Sequence, residues 1–185
     1  PERRTNRLLE TIRKDLNLSQ LPLHMECFDN SNTQGTFPVA ALVVFRHARP
    51  EKKDYRHFNI KTVEGPNDFA SMEEVVFRRY SRMLAEGQSL PQLVIVDGGK
   101  GQLSSAMISI EKLKLQDKIQ LIGIAKRLEE LYFPGDPTPL HLDKKSETLK
   151  VIQQMRDEAH RFGITHHRKL REKGTIKTSL SEIEG

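Results

Sequence analysis

Leu93-Val94-Ile95-Val96-Asp97-Gly98-Gly99-Lys100-Gly101-Gln102-Leu103 is the stretch on which the fold turns. Four consecutive apolar residues read as a strand buried on both faces, the usual condition of a parallel strand with helices above and below it. The strand ends on the Asp97 carboxylate and a run of glycines, and a helix is expected over about 102–115. A turn of this kind can present backbone amides to a phosphate at the start of the helix, and its glycines let another backbone or a phosphate come close. It is not a P-loop, because the GKS/T ending is missing, and it is not a dinucleotide fingerprint. Lys100 either meets a phosphate oxygen or reaches solvent.

Upstream lie three strand-like runs, over 24–29, 39–45 and 55–61. The connections between them are short, which implies antiparallel hairpins. Gly65-Pro66-Asn67 then breaks the pattern, and Asn67 or Asp68 can cap a helix. Phe69, Met72, Val75, Val76, Met83 and Leu84 give that helix a core-facing stripe, and Gly87 ends it. Downstream, residues 120–125 form a fifth strand. Runs at 131–133 and 140–142 flank Pro134, Pro137 and Pro139 and read as a small excursion. A last helix is expected over about 146–172, with Val151, Ile152, Met155, Ala159 and Phe162 at helical spacing. A charged helix over 3–16 opens the chain. Residues 1–20 are read as a lead-in helix and linker, 21–173 as the domain, and 174–185 as a tail without structure. The order β-β-β-α-β-α-β-α describes an α/β fold: a mixed sheet, three antiparallel strands leading into parallel strands, with flanking helices. That is the ribonuclease H-like order, and a fold alone does not give a function.

The composition narrows the field. The 185 residues suit one domain. No apolar run approaches a membrane span, so a membrane is not an expected partner. One cysteine, Cys27, rules out an internal disulfide and a cysteine-based zinc cluster, and a reducing cytoplasm is the simplest home. Lys plus Arg is 30 against 25 for Asp plus Glu, a net charge of only +5. Between Lys150 and Lys173, however, there are seven basic residues against three acids, beside His160, His166 and His167. Such a segment is either a solvated helix face or a phosphate-contacting one.

Two aspartates stand at strand ends, Asp29 after the first strand and Asp97 after the fourth. In a mixed sheet the carboxyl ends of neighbouring strands open on a common edge where ligands bind. If these two strands are neighbours, the carboxylates converge and repel unless a cation lies between them. Oxygen ligands favour Mg²⁺ or Mn²⁺ over zinc. Each aspartate also has a structural reading, as the start of an Asx turn or the cap of a glycine turn. Arg156, His160 and His167 share a face of the last helix beside its apolar stripe. Asp68, at a helix start, has a sufficient structural reason to exist. No serine has a His/Asp partner at a recognisable spacing, which sets aside nucleophilic serine chemistry. Glu26 has no distinguishing feature in the sequence.

Glu26-Cys27-Phe28-Asp29 with Ser31 and Thr33-Gln34-Gly35, Phe58-Asn59-Ile60-Lys61, the run from Gly65 to Met72, Arg78-Arg79-Tyr80, Asp97 to Leu103, Ala125 to Glu130, and Arg156 to Phe162 followed by His167-Arg168-Lys169 together resemble the endonuclease domain of the UvrC family. The resemblance runs in order over about residues 21–173. It implies a ribonuclease H-like fold and DNA strand incision on the 5′ side of a lesion in nucleotide excision repair. It also implies an Asp-Asp-His triad on Asp29, Asp97 and His160 acting with Mg²⁺ or Mn²⁺, and a contributing aspartate at Asp68. Lys100, Arg156, Arg161, Arg168 and Lys169 are the candidates for contacts to the phosphate backbone. The implied partners are damaged double-stranded DNA and UvrB, the latter mainly through regions outside this segment. The opening at Pro1 reads as that of a fragment. The family's GIY-YIG nuclease domain and its UvrB-contacting segment would lie upstream, and its helix-hairpin-helix module after Glu184. Asn30 and Asn32 depart from the family pattern, which has Ile and His around the serine, and neither carries the triad. Two other classes are weighed: a recombinase-like enzyme, which needs a third carboxylate on the last helix, and a non-catalytic DNA-binding module, which predicts a broken triad.

Overall fold

A computed structural model describes residues 2–31, 39–61, 68–125, 127 and 130–184, with side chains through residue 165 apart from those of 31 and 68. The turn at 32–38, the Gly65-Pro66-Asn67 break, Lys126, Leu128 and Glu129, and the side chains of His166, His167, Arg168 and Lys169 lie outside the described residues.

The order is α1 (Glu2–Asp15), β1 (His24–Ser31), β2 (Val39–Arg46), β3 (Arg49–Pro50), a 3-10 turn (Lys52–Asp54), β4 (Arg56–Asn59), α2 (Asp68–Ala85), β5 (Leu93–Asp97), α3 (Gly99–Lys112), β6 (Gln120–Ile124), β7 (Glu130–Tyr132), β8 (Leu140–His141) and α4 (Glu147–Glu184). One sheet runs β3-β2-β1-β5-β6-β7-β8, with β4 also paired to β2. β1 and β2 are antiparallel, with Asp29 opposite Ala41. β1 and β5 are parallel, with Phe28 opposite Val96, and β5 and β6 are parallel as well. The mixed α/β sheet expected from the sequence is therefore present, and its first and fourth expected strands are neighbours.

Burial follows the sequence pattern. Val94, Ile95 and Val96 on β5 have no exposed surface, nor do Ala40 to Phe45 on β2, as befits central strands covered on both faces. Period-2 alternation then sorts β1. Phe28 meets the Tyr80 ring of α2 edge-on at 6.0 Å, so Glu26 and Phe28 face α2, while Cys27 and Asp29 face α4.

Four features differ from the sequence reading. The excursion after β6 extends the sheet: Leu131 pairs with Ile124 and with Leu140, because the prolines fall in the connection and leave the paired residues free. The third helix starts at Gly99, three residues early, because Gly98 turns the chain at φ 138°, a backbone state that glycine adopts without strain. Leu9, Ile12 and Leu16 are buried, so α1 packs against the core rather than merely leading into it. Finally, α4 continues to Glu184 where an unstructured tail was expected from Gly174; one glycine inside a helix costs only about 1 kcal/mol.

Candidate active site

The site is built at the carboxyl ends of β1 and β5. Asp29 and Asp97 each follow the last pair of that parallel ladder, Phe28 opposite Val96. The two side chains face the same way, because each stands one residue past the paired Phe28 and Val96 in neighbouring parallel strands, and alternation turns both to the face opposite Phe28. The buried Cys27 thiol on that face is pushed up by burial and by both carboxylates, with Arg156 opposing them. Asp29 is 7% exposed. Desolvation and the Asp29 carboxylate raise Asp97 to about 6, against the opposing pull of Arg156 and His160. Two carboxylates held this close in a half-dry place each disfavour the other's charge.

Helix α4 supplies the counter-charge. Arg156 and His160 are one helical turn apart. His160 Nδ1 lies 3.5 Å from Asp29 Oδ2, with the imidazole 66% exposed. Met155 and Ala159, fully buried, seat this turn on the sheet. The structure thus brings together Asp29, Asp97, His160 and Arg156.

The acid that flanks His160 is used elsewhere. Glu158 accepts the Tyr55 hydroxyl at 2.8 Å and the Arg161 guanidinium at 3.0 Å to each oxygen. Burial and this carboxylate push the Tyr55 phenol up. Arg161, a phosphate-contact candidate, is therefore engaged by Glu158. Lys100 stands exposed on the first turn of α3, its ammonium 5.1 Å from the centre of the Tyr132 ring. α2 begins at Asp68, and the Phe69 ring next to it lies against Gly101, where a Cβ would clash with it. This seats the start of α2 on the first turn of α3. Gly98 is also held: its N–H donates to Ile124 O at 3.1 Å, and a Cβ on it would collide with Gln102.

The sequence reading passed over Glu26. It is fully buried and accepts hydrogen bonds from Arg79 (2.8 Å) and Tyr80 (2.8 Å), with His24 Nε2 at 2.7 Å. Burial alone would raise its pKa; the His24 and Arg79 partners outweigh it and hold it at about 2. An acid between Met25 and Cys27 was the only signal available, because its α2 partners lie more than fifty residues away.

Residues 13–164 match the model of the UvrC RNase H endonuclease domain. The chain belongs to this family. Its likeness to curated UvrC proteins covers its whole length: it is 67% identical to the UvrABC system protein C of Flavobacterium psychrophilum and 65% identical to that of Flavobacterium johnsoniae, over all 185 residues in both. The chain spans about 31% of the length of these relatives. Among solved structures, a Ciona intestinalis Endonuclease V bound to a 24mer DNA is similar at a TM-score of 0.41 and 16% identity, over 85% of this chain and 68% of that one. In this UvrC domain, the donor set suits a hard divalent cation: two carboxylates that repel one another, with an imidazole alongside. Among the described residues, no three His, Cys, Asp or Glu side chains stand close enough together to enclose an ion. What is formed is a two-carboxylate edge with His160 over it. No helix among the described residues is long and apolar enough to cross a membrane.

Proposed function

We propose that this domain hydrolyses a DNA phosphodiester on the 5′ side of a lesion in nucleotide excision repair and needs Mg²⁺ or Mn²⁺ to do so. The observation that carries the reading is the convergence of Asp29 and Asp97 at neighbouring parallel strand ends, with Asp97 raised to about 6. A cation relieves that repulsion where a structural turn aspartate needs none. Asp29 and Asp97 would hold the ion, and His160 either completes the set or carries a proton at the reacting oxygens. When bound, such an ion acidifies a water and polarises the phosphate. Asp68 is assigned a contributing part on family resemblance.

Arg156, beside the carboxylates on α4, and Lys100, on the first turn of α3, are the proposed phosphate contacts, with Arg168 and Lys169 further along α4. Arg161 joins them only by sharing Glu158. Contacts of this kind position DNA without reading its bases, which suits an enzyme brought to damaged duplex by partners such as UvrB in the cytoplasm. The domain proper is taken as 21–173. The recombinase-like alternative loses support, because Glu158, the acid two residues before His160, is bound to Tyr55 and Arg161. The test is strand nicking by the full-length protein, in its UvrABC assembly, on damaged and undamaged duplex with Mg²⁺, Mn²⁺ or EDTA. Cutting 5′ to the lesion, with loss in EDTA, is the expected result. Metal-independent cutting, or 5′ cutting unaffected by Asp29→Ala and Asp97→Ala, would overturn it.

A further inference from the structure

The geometry points to Tyr55 and His57 as positioning residues that clamp α4 so that His160 stays over Asp29, an inference that rests on the catalytic reading of His160. The clamp grips α4 on both sides of His160. Two residues before it, Glu158 accepts the Tyr55 hydroxyl at 2.8 Å. Two residues after it, the Phe162 carbonyl lies 2.8 Å from His57 Nε2, and the Phe162 ring stacks on the His57 ring at 3.7 Å and 12°. Tyr55 meets the same ring edge-on at 5.2 Å.

The sheet register explains why these residues and not others hold the helix. Ala41 is opposite Asp29 on one side and opposite His57 on the other. His57, Ala41 and Asp29 therefore form one row across three strands, with side chains on the α4 face. Neighbouring strands lie about 4.8 Å apart, so His57 and Asp29 are separated by roughly 10 Å. α4 crosses this row, with Phe162 on His57 and His160 at Asp29. The centre of the row is a fully buried alanine, and α4 presents Ala159, also fully buried, between Glu158 and His160. Small side chains there let the helix settle close to the sheet, so its placement along the row is set by its polar and aromatic grips. His160 itself is 66% exposed and its contact to Asp29 is long, at 3.5 Å. A side chain so lightly held by its own contacts takes its position from the turn of helix that carries it.

The test uses the full-length protein in its UvrABC assembly, with Mg²⁺ or Mn²⁺, and measures single-turnover 5′ incision together with melting temperature. Tyr55→Phe keeps the ring and removes only the donor to Glu158. It is expected to lower the rate at saturating DNA by about tenfold, the weight of one charge-assisted hydrogen bond, with the DNA concentration for half-maximal rate unchanged. Glu158→Gln, which keeps an acceptor for Tyr55, should lose less. Tyr80→Phe is the control: it removes an equivalent 2.8 Å bond to Glu26 on the other face of the sheet, and it should lower stability while leaving the rate per folded molecule intact. In the His160→Ala background, Tyr55→Phe should cost nothing further. A wild-type rate for Tyr55→Phe, an equal loss for Tyr80→Phe, or a full additional loss on top of His160→Ala would each overturn the clamp. His160→Ala cutting at the wild-type rate would overturn the catalytic reading beneath it. His160→Ala inactive with Tyr55→Phe unimpaired would overturn the clamp alone.

Discussion

Desolvation and the neighbouring Asp29 carboxylate lift Asp97 to about 6, and that shift fixes how the residue acts on stability. A carboxylate whose folded pKa lies above its unfolded value takes up protons on folding between the two. The folded state is favoured below the unfolded value, and that advantage is lost as the pH rises through about 6. Without metal at neutral pH, the ionised Asp97 is thus a cost to the fold. Asp97→Asn is expected to raise the melting temperature in EDTA at pH 7.5, with the gain disappearing by pH 4. A gain of equal size at both pH values would mean that charge is not its source. The sequence could name Asp29 and Asp97, since each follows apolar residues at or near the end of a strand, ahead of a turn. It left the structural readings of each open, because pairing of β1 with β5 spans some seventy residues and no local pattern reports it. His160 was legible as a border residue on α4, and its 3.5 Å approach to Asp29 was not.

Elements are held together by residues of a different kind. Strand β1 anchors α2 through Glu26, whose carboxylate takes Arg79 and Tyr80 with no exposure to water. Glu26→Ala leaves a largely buried guanidinium and a fully buried hydroxyl without their acceptor, so a loss of about 3 kcal/mol is expected in chemical denaturation. A loss under 1 kcal/mol would show that the network is dispensable. Strands β7 and β8 escaped the sequence reading because each is three residues or fewer and prolines punctuate the connection. Pairing with β6 decides their state, and that is a tertiary fact. α4 carries the basic segment beyond the site. If Arg168 and Lys169 each neutralise a phosphate, replacing both should flatten the slope of log K against log salt by up to about two units on duplex DNA. An unchanged slope would make that face merely solvated.

At the scale of the molecule, the fold serves one edge. Antiparallel β1 and β2 and parallel β5 and β6 make a sheet whose central strands are dry on both faces. α2 and α3 cover one side, and α4 lies across the other. The order of strands and helices was readable because each long apolar or amphipathic run maps onto one element. The packing of α1 was less so, because its charged surroundings hide a stripe that becomes core only when the rest of the fold is present. The central claim is that Asp29 and Asp97 form a single cation site rather than two capped turns. Mn²⁺ binding to the folded protein, followed by paramagnetic resonance of the free ion, tests it most directly. Binding at one or two ions per chain that is lost in both Asp29→Asn and Asp97→Asn, with melting temperatures at or above that of the metal-free parent, is the predicted result. Mn²⁺ binding that survives unchanged in either variant would contradict it.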